Sequence, residues 1–331
     1  MSEWRYRDAL REALAIEMRE DDTVFLAGTD IAGGGVMAVT KGLMEEFGRD
    51  RVRDAPIGEM ALLAMAVGAA MAGYRPVVEL MFMDFIGVAF DPLLNQAAKL
   101  RYMTAGAVEM PLVVRTQTGI GRSGGAQHSQ SLEAVLAHIP GLHVVMPSNA
   151  DDAACLLRGA IRSTHPVVMV ENRHLYGRRF ERPATFPKPE LPGRAAVRRR
   201  GTDVTIVAWG RVVLDCLDVA DRLQGEGIDA EVIDLRSIAP LDVETILTSV
   251  AVTHRLLVVS ESVLTFGASA EVVRVVATEA WDALSAAPVT LGGLATPIPY
   301  SPALEAAWGP TPEGIEAAVR NLTRAIEVVH G

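Results

Sequence analysis

Residues 76–82, 111–116, 142–147 and 166–171 each read as a β run whose apolar positions follow one another continuously instead of alternating with polar ones. A strand with one wet face alternates, whereas a strand covered on both faces does not, so these runs specify a sheet sandwiched between helical layers. Between them lie stretches of helical period at 4–20, 43–47, 59–73, 85–102, 131–138 and 149–162, with two further short strands at 23–28 and 52–54. Strand and helix in alternation imply parallel strands joined by crossovers, the doubly wound α/β class.

The texture changes at Pro183, Pro187, Pro189 and Pro192, where neither period survives. A proline-punctuated, extended stretch over 183–200 reads as a linker between domains. Beyond it, buried strands at 203–210, 230–235 and 256–261 alternate with helices at 211–225 and 242–250. Two doubly wound α/β domains are expected, 1–182 and 201–331, and 331 residues are enough to give each its own core.

Charge and apolar content narrow the partners. A net charge of -10 argues against nucleic acid. The longest apolar run, 60–73, is shorter than the ~20 residues of a membrane span, and the first residues show no signal-peptide pattern. Cys155 and Cys216 lie far apart in apolar helical surroundings, as free thiols do in a reducing cytoplasm. There is more apolar helix than a lone monomer hides, which favours an obligate oligomer.

Glu59 stands at the head of that apolar run, after Pro56-Ile57-Gly58, with no Lys, Arg or His within the run to neutralise it. In a first helical turn the dipole favours an anion, and acids there are commonly no more than that. The helix behind it is apolar on every side, however, so it is expected to be buried all round, with its first turn deep in the molecule or at an interface. A carboxylate so placed is a candidate acid or base.

Gly119-Ile120-Gly121-Arg122-Ser123-Gly124-Gly125 leads into Ala126-Gln127-His128-Ser129-Gln130, a long polar loop beyond the C-terminal end of a strand, where open α/β sheets bind ligands. Its glycines permit close backbone approach, which makes His128 a candidate functional residue, while His138 reads as structural. The loop Ile31-Ala32-Gly33-Gly34-Gly35 lacks GxGxxG spacing and reads as a flexible site or interface loop, not a phosphate cradle.

Asp54-Ala55-Pro56-Ile57-Gly58-Glu59, Ala66-Val67-Gly68-Ala69-Ala70-Met71-Ala72-Gly73-Tyr74-Arg75-Pro76, Ala126-Gln127-His128-Ser129-Gln130-Ser131, Gly141-Leu142-His143-Val144-Val145-Met146-Pro147 and Pro297-Ile298-Pro299-Tyr300 occur in this order. Together they resemble the β subunit of the thiamine-diphosphate-dependent 2-oxo acid dehydrogenase E1 component, the group of the pyruvate, branched-chain and acetoin dehydrogenase β chains, similar to the second half of transketolase. The resemblance implies that Glu59 accepts a hydrogen bond from N1′ of the aminopyrimidine of thiamine diphosphate, so that the cofactor itself becomes the base. It implies that Phe85 packs on the pyrimidine ring and that His128 meets the substrate or lipoyl group and supplies a proton during acyl transfer.

The family holds the diphosphate through Mg²⁺ with a Gly-Asp-Gly motif followed by Asn, which this chain lacks. The resemblance therefore implies an α subunit that carries both, an α2β2 heterotetramer, and a lipoyl acyltransferase E2 as acyl acceptor. Some relatives bind structural K⁺ through main-chain carbonyls matching Leu112, Ala160, Ile161, Ser163 and His165. Gly28-Thr29-Asp30 departs from the family's Gly-Glu-Asp, losing a carboxylate beside the site. A split transketolase or deoxyxylulose-phosphate-synthase-like half, or a non-catalytic assembly chain, are the alternatives; the presence of Glu59 and His128 disfavours the last.

Overall fold

A computed structural model describes residues 2–324. The last seven residues of the expected second domain lie outside them. The chain divides into two compact units, Met1–Thr118 with Val135–Pro192, and Gly119–Ala134 with Gly193–Gly331.

In the first unit six parallel strands run in the order His143–Val145, Val167–Asn172, Val113–Thr118, Arg75–Leu80, Val24–Gly28, Val52–Asp54. Every residue of Val24–Gly28, Val113–Thr118 and Val167–Asn172 is buried, as continuous apolar runs require. From Val24–Gly28 the chain first crosses to the edge strand Val52–Asp54, then returns to the other side through Arg75–Leu80. The strand order therefore reverses between Val24–Gly28 and Arg75–Leu80.

Helix Tyr6–Glu20 packs on helix Ala150–Arg162, whose first turn is capped by the Asn149 side chain accepting from Asp152 N. Where the two meet, buried Glu17 takes Arg158 Nε at 2.6 Å and Arg162 Nε at 2.8 Å. A buried carboxylate is tolerable there because both oxygens are paired.

The helix Glu59–Met71 departs from expectation. Leu62, Leu63, Ala66, Val67 and Ala70 are buried, but Met60, Met65 and Met71 are 53, 41 and 50 % exposed. One face lies against the first unit's core, and the other has no cover from the described residues of this chain. The single helix expected over 85–102 is instead a 3₁₀ turn Met83–Gly87 followed, after two turn residues, by one continuous helix over 90–103 that is π-helical at Pro92–Ala97 and α-helical at Ala98–Met103. Pro92 lies in the first turn of that helix, where its missing N–H has no intrahelical partner to lose, and it keeps the helix from extending back to Phe85. Tyr102, near the end of that helix, is exposed.

In the second unit Val289–Gly293, Leu256–Val263, Val204–Ala208 and Ala230–Asp234 are parallel, and Ala196–Arg199, from the proline-punctuated stretch, adds an antiparallel edge to Ala230–Asp234. Helices Val212–Gln224 and Pro312–Arg324 close its core through Val213, Cys216, Ala220, Ile315 and Val319. Its strand order reverses between Val204–Ala208 and Leu256–Val263.

Candidate active site

The reversal of strand order in the first unit opens a crevice at the carboxyl ends of two strands, where α/β sheets bind their ligands. Thr29 follows the end of one strand; Glu79 and Leu80 end the other, and Met81 follows it. With Ile57, Gly58, Glu59, Leu62 and Phe85 they line a cavity of about 70 Å³. Glu59 is the first residue of its helix, placed there by the Pro56-Ile57-Gly58 turn, so its carboxylate sits at the positive end of the helix dipole. Phe85 comes from the 3₁₀ turn after the second strand and is braced edge-on by Phe82, ring centroids 5.7 Å apart. Glu59 and Phe85 thus share one cavity.

A buried charge network that sequence reasoning missed reaches the same wall. Glu79 takes Arg115 Nη1 at 2.8 Å, and Arg115, 2 % exposed, is bidentate to fully buried Glu171 through Nε at 2.7 Å and Nη2 at 2.8 Å. The Tyr176 hydroxyl donates to Glu171 at 2.7 Å. Two carboxylates face one guanidinium. Burial raises Glu79 above the usual carboxylate range, Arg115 pulls it back and Glu171 adds to the rise. Burial, reinforced by Glu171, likewise holds the Tyr176 phenol up.

His128 belongs to the second unit, on loop 119–134, and is half-buried. That loop is fixed by several contacts within its unit. Ser123 N donates to buried Glu305 at 2.7 Å, and Ile120 packs with Ile298 and Trp308. Gly125, at φ +66°, lies so close to the Tyr300 ring that a Cβ would meet it at 2.3 Å. Glu133 takes the Trp209 indole N–H at 3.1 Å, beyond the end of Val204–Ala208. The Pro297–Tyr300 motif therefore buttresses the glycines before the histidine.

Of the carbonyls matched to a potassium site, Leu112 O accepts Val167 N at 2.9 Å and Ala160 O accepts Ser163 N at 3.1 Å. Ile161 O and Ser163 O accept from Arg75 Nη1 at 2.8 and 3.1 Å. Each carbonyl keeps a second lone pair for a cation, but the Arg75 charge opposes one. The His165 ring stacks on His143 at 4.9 Å. Among the described residues no group of three or more His, Cys, Asp or Glu side chains is placed to hold a metal ion, and no helix is long and apolar enough to cross a membrane.

Residues 2–179 match the transketolase pyrimidine-binding domain and 193–315 the transketolase C-terminal domain. The chain is 42 % identical to the acetoin:2,6-dichlorophenolindophenol oxidoreductase subunit β of Bacillus subtilis, covering 95 % of this chain and 96 % of that one. It is 44 % identical to the pyruvate dehydrogenase E1 component subunit β of Rickettsia conorii, covering 96 and 97 %. A solved split-gene transketolase, described as an inactive β4 tetramer, superposes with a TM-score of 0.79 over 97 % of this chain and 98 % of its own at 24 % identity, a likeness of fold. With both domain matches in order and identity above 40 % along nearly the whole length, the chain belongs to the family of pyruvate dehydrogenase E1 and acetoin oxidoreductase β subunits.

Proposed function

We propose that this chain is the β subunit of a thiamine-diphosphate-dependent E1 component and supplies the pyrimidine half of its active site. The observation that carries the reading is the meeting of Glu59 and Phe85 in one cavity at the reversal of strand order. A carboxylate acceptor, an aromatic ring and the apolar Leu62, Leu80 and Met81 suit a flat heteroaromatic ring with one polar edge.

When bound, the thiazolium of the cofactor supplies the electron sink for loss of carbon dioxide from a 2-oxo acid, or for cleavage of acetoin. The Glu59 carboxylate would accept a hydrogen bond from the polar edge of the ring, an interaction that a cavity of low dielectric strengthens. Phe85 fixes the plane of the ring. His128, held by the Tyr300 and Glu305 contacts of its loop, donates a proton during acyl transfer to a lipoyl group on E2. The α subunit carries the diphosphate and Mg²⁺ in an α2β2 assembly, and Cys155 and Cys216, both buried and in no disulfide, support a cytoplasmic setting.

Coexpressed with its α chain, the protein should reduce ferricyanide in the presence of a 2-oxo acid or acetoin, thiamine diphosphate and Mg²⁺. Glu59→Gln should lower kcat at least ~10²-fold, and a variant complex of undiminished rate would sink the reading. For K⁺ the support is the cluster of carbonyls around Leu112 and Ala160, weighed against the Arg75 charge. If the ion binds, the complex melts higher in potassium chloride than in choline chloride of the same strength; equal melting rejects it.

A further inference from the structure

Glu79 lies in the wall of the cavity that Glu59 faces. It also lines a second, smaller cavity with Arg115, Gln117 and Tyr176, so it separates the Glu59 cavity from the buried charge network. On its inner side Arg115 Nη1 reaches Oε2, with Glu171 and the Tyr176 hydroxyl behind the guanidinium. On the cavity side stand Glu59 and the uncharged Thr29. Above it closes the glycine loop: a Cβ on Gly35, at φ +68°, would stand 3.0 Å from Glu79 Oε1. That close approach gives the loop a role that its spacing alone did not suggest. Arg115 is already neutralised by a bidentate carboxylate, so Glu79 has only a shared cation, and its side chain is 17 % exposed.

We propose that Glu79 is the second carboxyl of this site and exchanges a proton with Glu59 through water in their shared cavity. The inference rests on the reading of Glu59 given above. Glu79 gives its proton to a water, that water gives one to the Glu59 carboxylate, and the reverse transfer restores both, with no net gain or loss. A cavity of about 70 Å³ bounded by two carboxyls is roomy and polar enough to hold the water. Burial and Glu171 raise Glu79, so it keeps its proton at a pH where an exposed glutamate has lost it. A neutral carboxyl still offers Arg115 an acceptor oxygen, so the ion-pair geometry survives the exchange.

The test uses the α/β complex with Glu79→Gln, which keeps the acceptor and removes the exchangeable proton. Infrared difference spectra of the cofactor-free complex, recorded across a pH titration, should show protonated carboxyl intensity that persists above the range of an exposed glutamate and falls by one group in Glu79→Gln. With cofactor, kcat should fall ~10²-fold with KM within about twofold, and the pH profile should change shape. Glu79→Asp, still an acid, should recover part of the rate. Unchanged infrared intensity, or a Glu79→Gln complex with the parent rate and pH profile, overturns the proposal. If neither Glu79 variant assembles, its role is structural and the proposal is again overturned. An inactive Glu59→Gln beside a fully active Glu79→Gln removes this inference alone, whereas an active Glu59→Gln removes the reading of the site.

Discussion

Glu133 is fully buried, with the Trp209 indole N–H at 3.1 Å, and burial raises its carboxyl above the ordinary range. For an acid raised in the fold, the native state binds more protons than the unfolded chain between the two pKa values, so stability falls as pH rises through that window. Its contribution is complete below the unfolded value of about 4.3 and is lost on approaching the folded one. Glu133→Gln, which cannot ionise, should therefore gain melting temperature relative to the parent as pH increases above about 4.3. A difference that stays flat with pH would show that Glu133 is charged in the fold. Residues of this kind were hardly legible beforehand. Glu59 stood out because it headed an uncharged run, whereas Glu79, Arg115 and Glu171 each looked like a single interruption in a separate β run. Glu79 and Arg115 are register partners on neighbouring parallel strands. A one-residue slip would send every side chain of a strand to its other face, and register is not written in either segment alone.

The helix headed by Glu59 was legible in its start and its length, but not in its surroundings. Its sequence is apolar on all sides, which gives no preferred face, and only the structure separates a stripe of Leu62, Leu63, Ala66 and Val67 from one of Met60, Ala64, Met65 and Gly68. The second stripe is what the proposed α subunit would cover. Met65→Glu should leave the isolated chain's melting nearly unchanged, because exposed substitutions cost within about 0.5 kcal/mol. In the complex it would bury an unpaired charge, so co-elution with the α chain should weaken at least ~10-fold. Co-elution at the parent level would place the α subunit elsewhere. The helix after Phe85 differs in where it starts: Pro92 is visible in the sequence, but the apolar period from Phe85 onward suggests an earlier start. The missing N–H outweighed the period.

Across the whole molecule, strand and helix alternation defined both parallel sheets, since buried strands and crossovers follow from composition and spacing. What spacing does not convey is that loop 119–134 packs with the second unit, because the groups that hold it, Trp209, Tyr300 and Glu305, lie some 80 to 180 residues further along. In each unit a reversal of strand order has an acid near it: partly buried Glu79 in the first, fully buried Glu133 in the second. The three exposed methionines of the Glu59 helix bear on how such a chain fares while it waits for a partner. A thioether open to solvent takes up oxygen from peroxide and becomes a polar, chiral sulfoxide. Met60, Met65 and Met71 would meet that fate together in a chain made in excess. The oxidised face would then no longer present the apolar surface that the proposed α subunit covers, so peroxide treatment of the isolated chain should weaken its later co-elution with the α chain.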